Sequence, residues 1–274
     1  MKHQSTRGPG HEEPTVYPHL NAVLKDLVDG AKNALGPNFF AAYLQGSFAL
    51  GDADLHSDVD FLIVTHDEVS PLEETQLQAM HEKFPDLEVD WAQHLEGSYV
   101  TKAALKRPDP GRTPWLYVDN GSRLLQRSDH DNTAVTRWVL REHGVILEGP
   151  DPKNVVDPIT AAELRAEVAA LIPEWAAQLR ADPEGMNNAW RQPHTLLSYC
   201  RTLQTLDAGR VTSKLEAGKW ALRTLDPEWS DLIQRALDDR PNPWGRAHQS
   251  SDPATVERTW AFIDYVVAFT NSQT

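Results

Sequence analysis

Cysteine is almost absent from this sequence. Cys200 stands alone, so an internal disulfide or a zinc site built from cysteines is excluded. Basic charge is also scarce: 26 lysines and arginines face 40 aspartates and glutamates, for a net charge of −14. Such a chain repels phosphate backbones, which argues against long nucleic acid as a partner and favours cationic small molecules. No apolar run approaches the roughly 20 residues that span a bilayer, so no membrane partner is expected. Internal repeats and low-complexity tracts are missing too. The opening residues, MKHQSTRGPGHEEP, lack the apolar core of a signal peptide, so residues 1–15 are expected to form a flexible leader on a cytoplasmic protein. Core-forming material, by contrast, is plentiful. Nine tryptophans and seven phenylalanines in 274 residues suffice for one large domain or two ordinary ones.

Apolar residues recur at helical spacing over residues 16–35 (Leu20, Val23, Leu24, Leu27, Val28, Ala31). Residues 39–44 form a short apolar run that stops at Gly46-Ser47, as a strand entering a turn does. The segment VDFLIVT, residues 59–65, is β-branched and apolar throughout, which suits a strand buried on both faces. Pro71 opens an amphipathic helix to about residue 84. Alternation over residues 87–92 predicts a third strand, residues 132–143 a helix ended by Gly144, and residues 145–147 a further short strand. Three prolines in residues 148–158, EGPDPKNVVDP, interrupt any regular element and mark a domain boundary. Beyond it, residues 159–180, 188–208, 213–225, 227–239 and 252–269 all carry helical patterns. The expected fold is therefore α+β: a domain at residues 16–156 with a mixed β-sheet and flanking helices, then an all-α helical bundle at 157–274.

The chemistry is concentrated in residues 44–64, LQGSFALGDADLHSDVDFLIV. Asp58 and Asp60 are two residues apart at the start of a strand, so both project from one face. Carboxylates that close repel each other unless a hard cation lies between them. Gly46 allows close backbone approach, and the Ser47 hydroxyl with neighbouring amides suits a triphosphate. Asp52 and Asp54 form a second such pair, but they lie in the loop before the strand. A third carboxylate is wanted nearby. Glu88 and Asp90, in LEVDWA, share a face and are the candidates to complete the metal site or to deprotonate an attacking hydroxyl.

Gly46-Ser47, ten further residues, and then Asp58-Val59-Asp60 resemble the signature of the DNA polymerase beta-type nucleotidyltransferase superfamily. The second half, with HTLLSYCRTLQTLDAGRVTSKLEAGKW at residues 194–220, resembles the helical domain of the streptomycin/spectinomycin adenylyltransferases. The stretch LREHGVILEGP at residues 140–150 matches the segment before that domain. The resemblance spans most of the chain. It implies that His194, Arg201 and Lys214 face a nucleotide, that ATP is the co-substrate and Mg²⁺ the cofactor, and that Glu88 rather than Asp90 is the base. The spacing agrees with those roles. His194 and Arg201 are seven apart on one helix face, Arg201 offers a planar fork for phosphate oxygens, and Lys214 offers a point charge. One departure stands out. Asn187, Asn188, Ala189, Trp190, Arg191 and Gln192 supply no carboxylate where family members place acids against a cationic drug, which argues against streptomycin as the acceptor.

The resemblance thus implies a monomeric enzyme that transfers AMP from ATP to a hydroxyl on a small polycationic substrate, an aminoglycoside-type antibiotic. Two alternatives stay open. One is a nucleotidyltransferase that modifies proteins or serves a toxin–antitoxin pair. The other is a nucleotide-binding sensor without catalysis.

Overall fold

A computed structural model describes residues 13–55, 57–241 and 243–271. The leader proposed for residues 1–15 lies mostly outside them. Its last residue, Thr15, is tied to Asn21 through both backbone and side chain.

The first half is built on a six-stranded sheet. Its strands are β1 (Phe39–Leu44), β2 (Val59–Thr65), β3 (Leu95–Thr101), β4 (Trp115–Val118), β5 (Leu125–Ser128) and β6 (Val145–Glu148). They lie in the order β5-β4-β3-β2-β1-β6, with β2 and β3 parallel and every other pair antiparallel. Helices α1 (Pro18–Leu35), α2 (Gly46–Leu50), α3 (Pro71–His81), α4 (Lys102–Leu105) and α5 (Ala134–His143) accompany it. Alternation sends Phe61 and Ile63 into a core beneath α1 and α3. Leu62 and Val64 point to the other face, against Leu140 of α5 and the linker residues Val155 and Val156. The proline-rich boundary segment therefore packs against the sheet.

One expected element is absent. Residues 87–92 are a bend running into a 3-10 turn at Asp90–Gln93, and the third strand begins at Leu95. Trp91 decides this. It is buried against Tyr17 and Phe48, with ring centroids 5.3 and 5.8 Å apart, and the chain must turn to place it there. Gly97 masked the true strand, because glycine weakens strand propensity. It is needed because a Cβ there would come within 2.2 Å of the Phe61 carbonyl oxygen.

The second half is helical, as expected: α6 (Ala161–Ala181), α7 (Arg191–Ala208), α8 (Lys214–Thr224), α9 (Ser230–Asp239), α10 (Pro243–Arg246) and α11 (Pro253–Asn271). Leu196, Tyr199, Cys200, Ile233, Phe262 and Ile263 fill its core. The halves meet along a seam where Ala49 and Leu50 of α2 join a cluster containing Leu164 and Val211. There Glu167 of α6 also accepts the Ala134 and Val135 amides of α5 at 2.6 and 3.0 Å.

A buried histidine gives the first half a pH limit. His81 lies 2.7 Å from the Tyr99 hydroxyl, and burial lowers its pKa from 6.5 to about 4. The unfolded chain binds this proton more readily, so stability falls as pH drops from 6.5 toward 4, by up to about 3 kcal/mol. Urea melts at pH 7 and pH 4 should show a smaller acid loss for His81→Gln, which keeps a polar partner for Tyr99 and cannot take up the proton. Equal acid losses in the two proteins would remove His81 from the account.

Candidate active site

The site forms at the edge of the sheet where β1 ends and β2 and β3 begin. Leu44 pairs with Phe61, and the Gln45 amide donates to the Asp60 carbonyl at 2.9 Å, so the chain leaves β1 directly beside Asp60. Gly46 then turns with φ +56°, and a Cβ on it would sit 1.8 Å from Asp60 Oδ2. Only glycine permits that approach. The Gly46-Ser47 turn and the Asp58–Asp60 pair are thus in contact. Asp58 is held by the Asn120 side-chain amide at 2.6 Å, and that Asn120 also reaches His94.

The carboxylate that the sheet sets beside Asp60 is Glu96. Because β2 and β3 run parallel in register, Asp60 stands beside Glu96. The Tyr117 hydroxyl donates to Glu96 Oε1 at 2.6 Å, and His130 Nε2 lies 3.4 Å from the same oxygen. Glu88 and Asp90, the expected candidates, are exposed on the bend and turn before β3. A fourth acidic group, Asp131, is buried behind the site and accepts from Gln45 Nε2 at 2.9 Å and Ser98 Oγ at 2.7 Å.

So much negative charge shifts the titrations. Burial, then Asp58 and Asp131, raise the Asp60 pKa above the ordinary carboxylate range. Glu96 is raised further, by burial and then Asp60, with the Tyr117 hydrogen bond opposing. Tyr117→Phe removes the donor that stabilises ionised Glu96, so the acid limb of any Glu96-dependent activity should move to higher pH. An unmoved limb in the pH–rate profile would show that Glu96 does not set it.

Across from the carboxylates stand the cations of the helical half. Arg201 and His194 lie on α7, and Lys214 opens α8, where Ser213 caps the Glu216 amide at 3.1 Å. Lys214 Nζ is 3.2 Å from His194 Nδ1. Burial, then Arg201, lowers Lys214 to about 8, with Asp58 and Asp60 opposing. Burial likewise lowers Arg201, opposed by Asp60 and Asp52, and burial with both cations keeps His194 neutral. The two halves of the chain therefore contribute to one electrostatic cluster. Arg191, which stands where an acid was expected, is paired with Asp182 at 2.8 Å.

Among the described residues, no three His, Cys, Asp or Glu side chains are drawn together as a ready metal cage. Magnesium does not need one, since it is commonly bound by one or two carboxylates together with substrate phosphates. Asp58 and Asp60 supply hard oxygen donors, Asp58 still raises the Asp60 pKa against the opposing Lys214 and His130, and the pair fits such an ion.

Residues 35–109 match the nucleotidyltransferase domain family, and residues 154–267 match the aminoglycoside adenylyltransferase C-terminal domain family. The chain belongs to the nucleotidyltransferases. This nucleotidyltransferase is similar to a spectinomycin 9-adenylyltransferase from Staphylococcus aureus, 23% identical over 217 residues, covering 75% of this chain and 79% of that protein. An aminoglycoside (3'') (9) adenylyltransferase from Escherichia coli is 22% identical over 239 residues, covering 81% and 85%. In fold it is similar to the crystal structure of the spectinomycin adenyltransferase AAD(9) from Enterococcus faecialis with ATP and spectinomycin. That match has TM-score 0.67 and 14% identity over 90% of this chain and 99% of that one. The nucleotidyltransferase is thus an aminoglycoside adenylyltransferase-like enzyme with the α+β arrangement expected. No helix among its described residues is long and apolar enough to cross a membrane.

Proposed function

We propose that this enzyme transfers AMP from ATP to a hydroxyl of a small polycationic antibiotic, with spectinomycin the favoured acceptor. The observation that carries the reading is Asp60 packed against Gly46 with Glu96 beside it in register, and Arg201 and Lys214 of the other half near enough to act on Asp60. Residues 16–156 serve as the catalytic domain and 157–274 as the helical domain that completes the cleft.

In this reading Gly46 and Ser47 receive the triphosphate, and Arg201 and Lys214 offset its charge. Asp58 and Asp60 would hold magnesium, which supplies charge neutralisation on the phosphates. Glu96 takes the proton from the acceptor hydroxyl. The freed oxygen bonds to the α-phosphorus, and the bond to pyrophosphate breaks, with positioning and charge compensation lowering the barrier. Tyr117 and His130 border Glu96, and the exposed Asp119, 3.2 Å from the Tyr117 hydroxyl, offers a carboxylate to an acceptor ammonium. Spectinomycin is favoured over streptomycin because Arg191 and its neighbours present no acid at the start of α7, and because a relative 23% identical is named for spectinomycin.

Pyrophosphate release from Mg-ATP, measured against spectinomycin, streptomycin, other aminoglycosides and lysate protein, tests this. Turnover with spectinomycin and an AMP adduct on the drug are expected. An adduct on protein alone would favour the protein-modifying alternative, and ATP binding without turnover would favour the sensor.

A further inference from the structure

Arg240, just after α9, reaches across to the first half of the chain. Its Nη2 lies 3.1 Å from the Asp52 carbonyl oxygen and 3.2 Å from Asp52 Oδ2, and its Nη1 lies 3.5 Å from Asp54 Oδ2. Both partners belong to the segment joining α2 to β2. The contact is sheltered, with the Arg240 and Asp52 side chains 22% and 10% exposed. One guanidinium therefore grips a backbone oxygen and two carboxylates, a task suited to a planar fork and not to an ammonium.

What it grips connects to both parts of the site. The Asp52 amide donates to the Ser47 carbonyl at 3.2 Å, so Asp52 fastens the end of the phosphate turn. Asp54 is locked to Ser57, through its own amide onto Ser57 Oγ at 2.9 Å and the Ser57 amide onto its carbonyl at 3.2 Å, and Ser57 precedes Asp58. On the other side, α9 packs on α7 and α8, which carry Arg201 and Lys214. A chain of direct contacts thus runs from α7 and α8, which carry the two cations, through α9 and Arg240 to Ser47 and to Ser57 beside Asp58.

We propose that Arg240 is a positioning residue for the nucleotide: its clasp on Asp52 and Asp54 holds the helical half in the attitude that sets Arg201 and Lys214 over the Gly46-Ser47 turn. The inference rests on the reading that this cleft binds ATP. Without the clasp the competent arrangement is one of several, and apparent affinity falls by the fraction populated. An ion pair that served stability alone would alter melting and leave nucleotide affinity in place.

Two measurements decide it. In the ligand-free protein, hydrogen exchange at the Asp52 amide should quicken in Arg240→Gln. In steady-state assays with Mg-ATP and spectinomycin, that variant should raise the KM for ATP about tenfold with kcat within about threefold. Arg240→Lys should recover part of the loss, and Arg240→Gln with Asp52→Asn should lose no more than Arg240→Gln alone. An unchanged KM, additive losses, or a fall in kcat alone would overturn the proposal. If wild-type protein transfers no AMP, the functional reading fails, and the exchange measurement still judges the clasp: unchanged exchange overturns it and faster exchange supports it.

Discussion

Glu96→Gln should reduce kcat by about 10²–10⁴-fold while leaving ATP binding close to wild type, as removal of a general base does. The substitution keeps side-chain length and leaves an oxygen to accept from the Tyr117 hydroxyl, now 2.6 Å from Glu96. What it removes is the ability to take a proton beside Asp60. Glu88→Gln and Asp90→Asn, on the exposed bend and turn before β3, should retain nearly full activity. Single-turnover rates at saturating ATP separate these outcomes, because they read the chemical step apart from binding. Collapse of the Glu88 variant with survival of the Glu96 variant would return the base to the segment before β3 and overturn the assignment made from register.

Local and long-range signals differ in how plainly a sequence carries them. The turn at Gly46-Ser47 and the aspartates at 58 and 60 were legible because their signal is local: a strand ends, a glycine follows, and two acids alternate onto one face. The helical half was legible because amphipathic spacing repeats over five long segments. The strand beside β2 was not, because which strand neighbours β2 is a long-range matter. Residues 87–92 alternate well, yet burial of Trp91 against Tyr17 and Phe48 turns the chain there. The strand that does pair with β2 contains Gly97 and Ser98, poor strand formers required by close approach to Phe61 and by the bond to Asp131. Alternation of Glu96 with Ser98 was the available signal. Strands β4 and β5, of four residues each, are too short for periodicity to show. Asp131 and Arg240 gave no local signal, because their partners lie 86 and 188 residues away.

Asp60→Asn should abolish turnover and yet make the metal-free protein more stable. The loss of activity follows from removing one of two carboxylates that share a face at the phosphate turn, and should exceed about 10³-fold if the pair holds the ion on which charge neutralisation depends. The gain in stability follows from the sign of the titration. Burial, then Asp58 and Asp131, raises the Asp60 pKa above its unfolded value. At pH 7 the unfolded chain carries this charge more easily than the folded one, and each unit of displacement costs about 1.4 kcal/mol of stability. The cost fades as pH falls through the folded pKa and is gone below the unfolded one. Asparagine removes the charge at the same size, so thermal melts in chelator at pH 7 should rise by about 2–4 °C per kcal/mol recovered, with the rise vanishing near pH 4. Mg-ATP should reverse the ranking, because ligand binding stabilises the wild type and has lost its anchor in the variant. A lower melting temperature for the variant in chelator would mean that Asp60 is satisfied in the folded protein without an ion, and the site would then have to be read as structural.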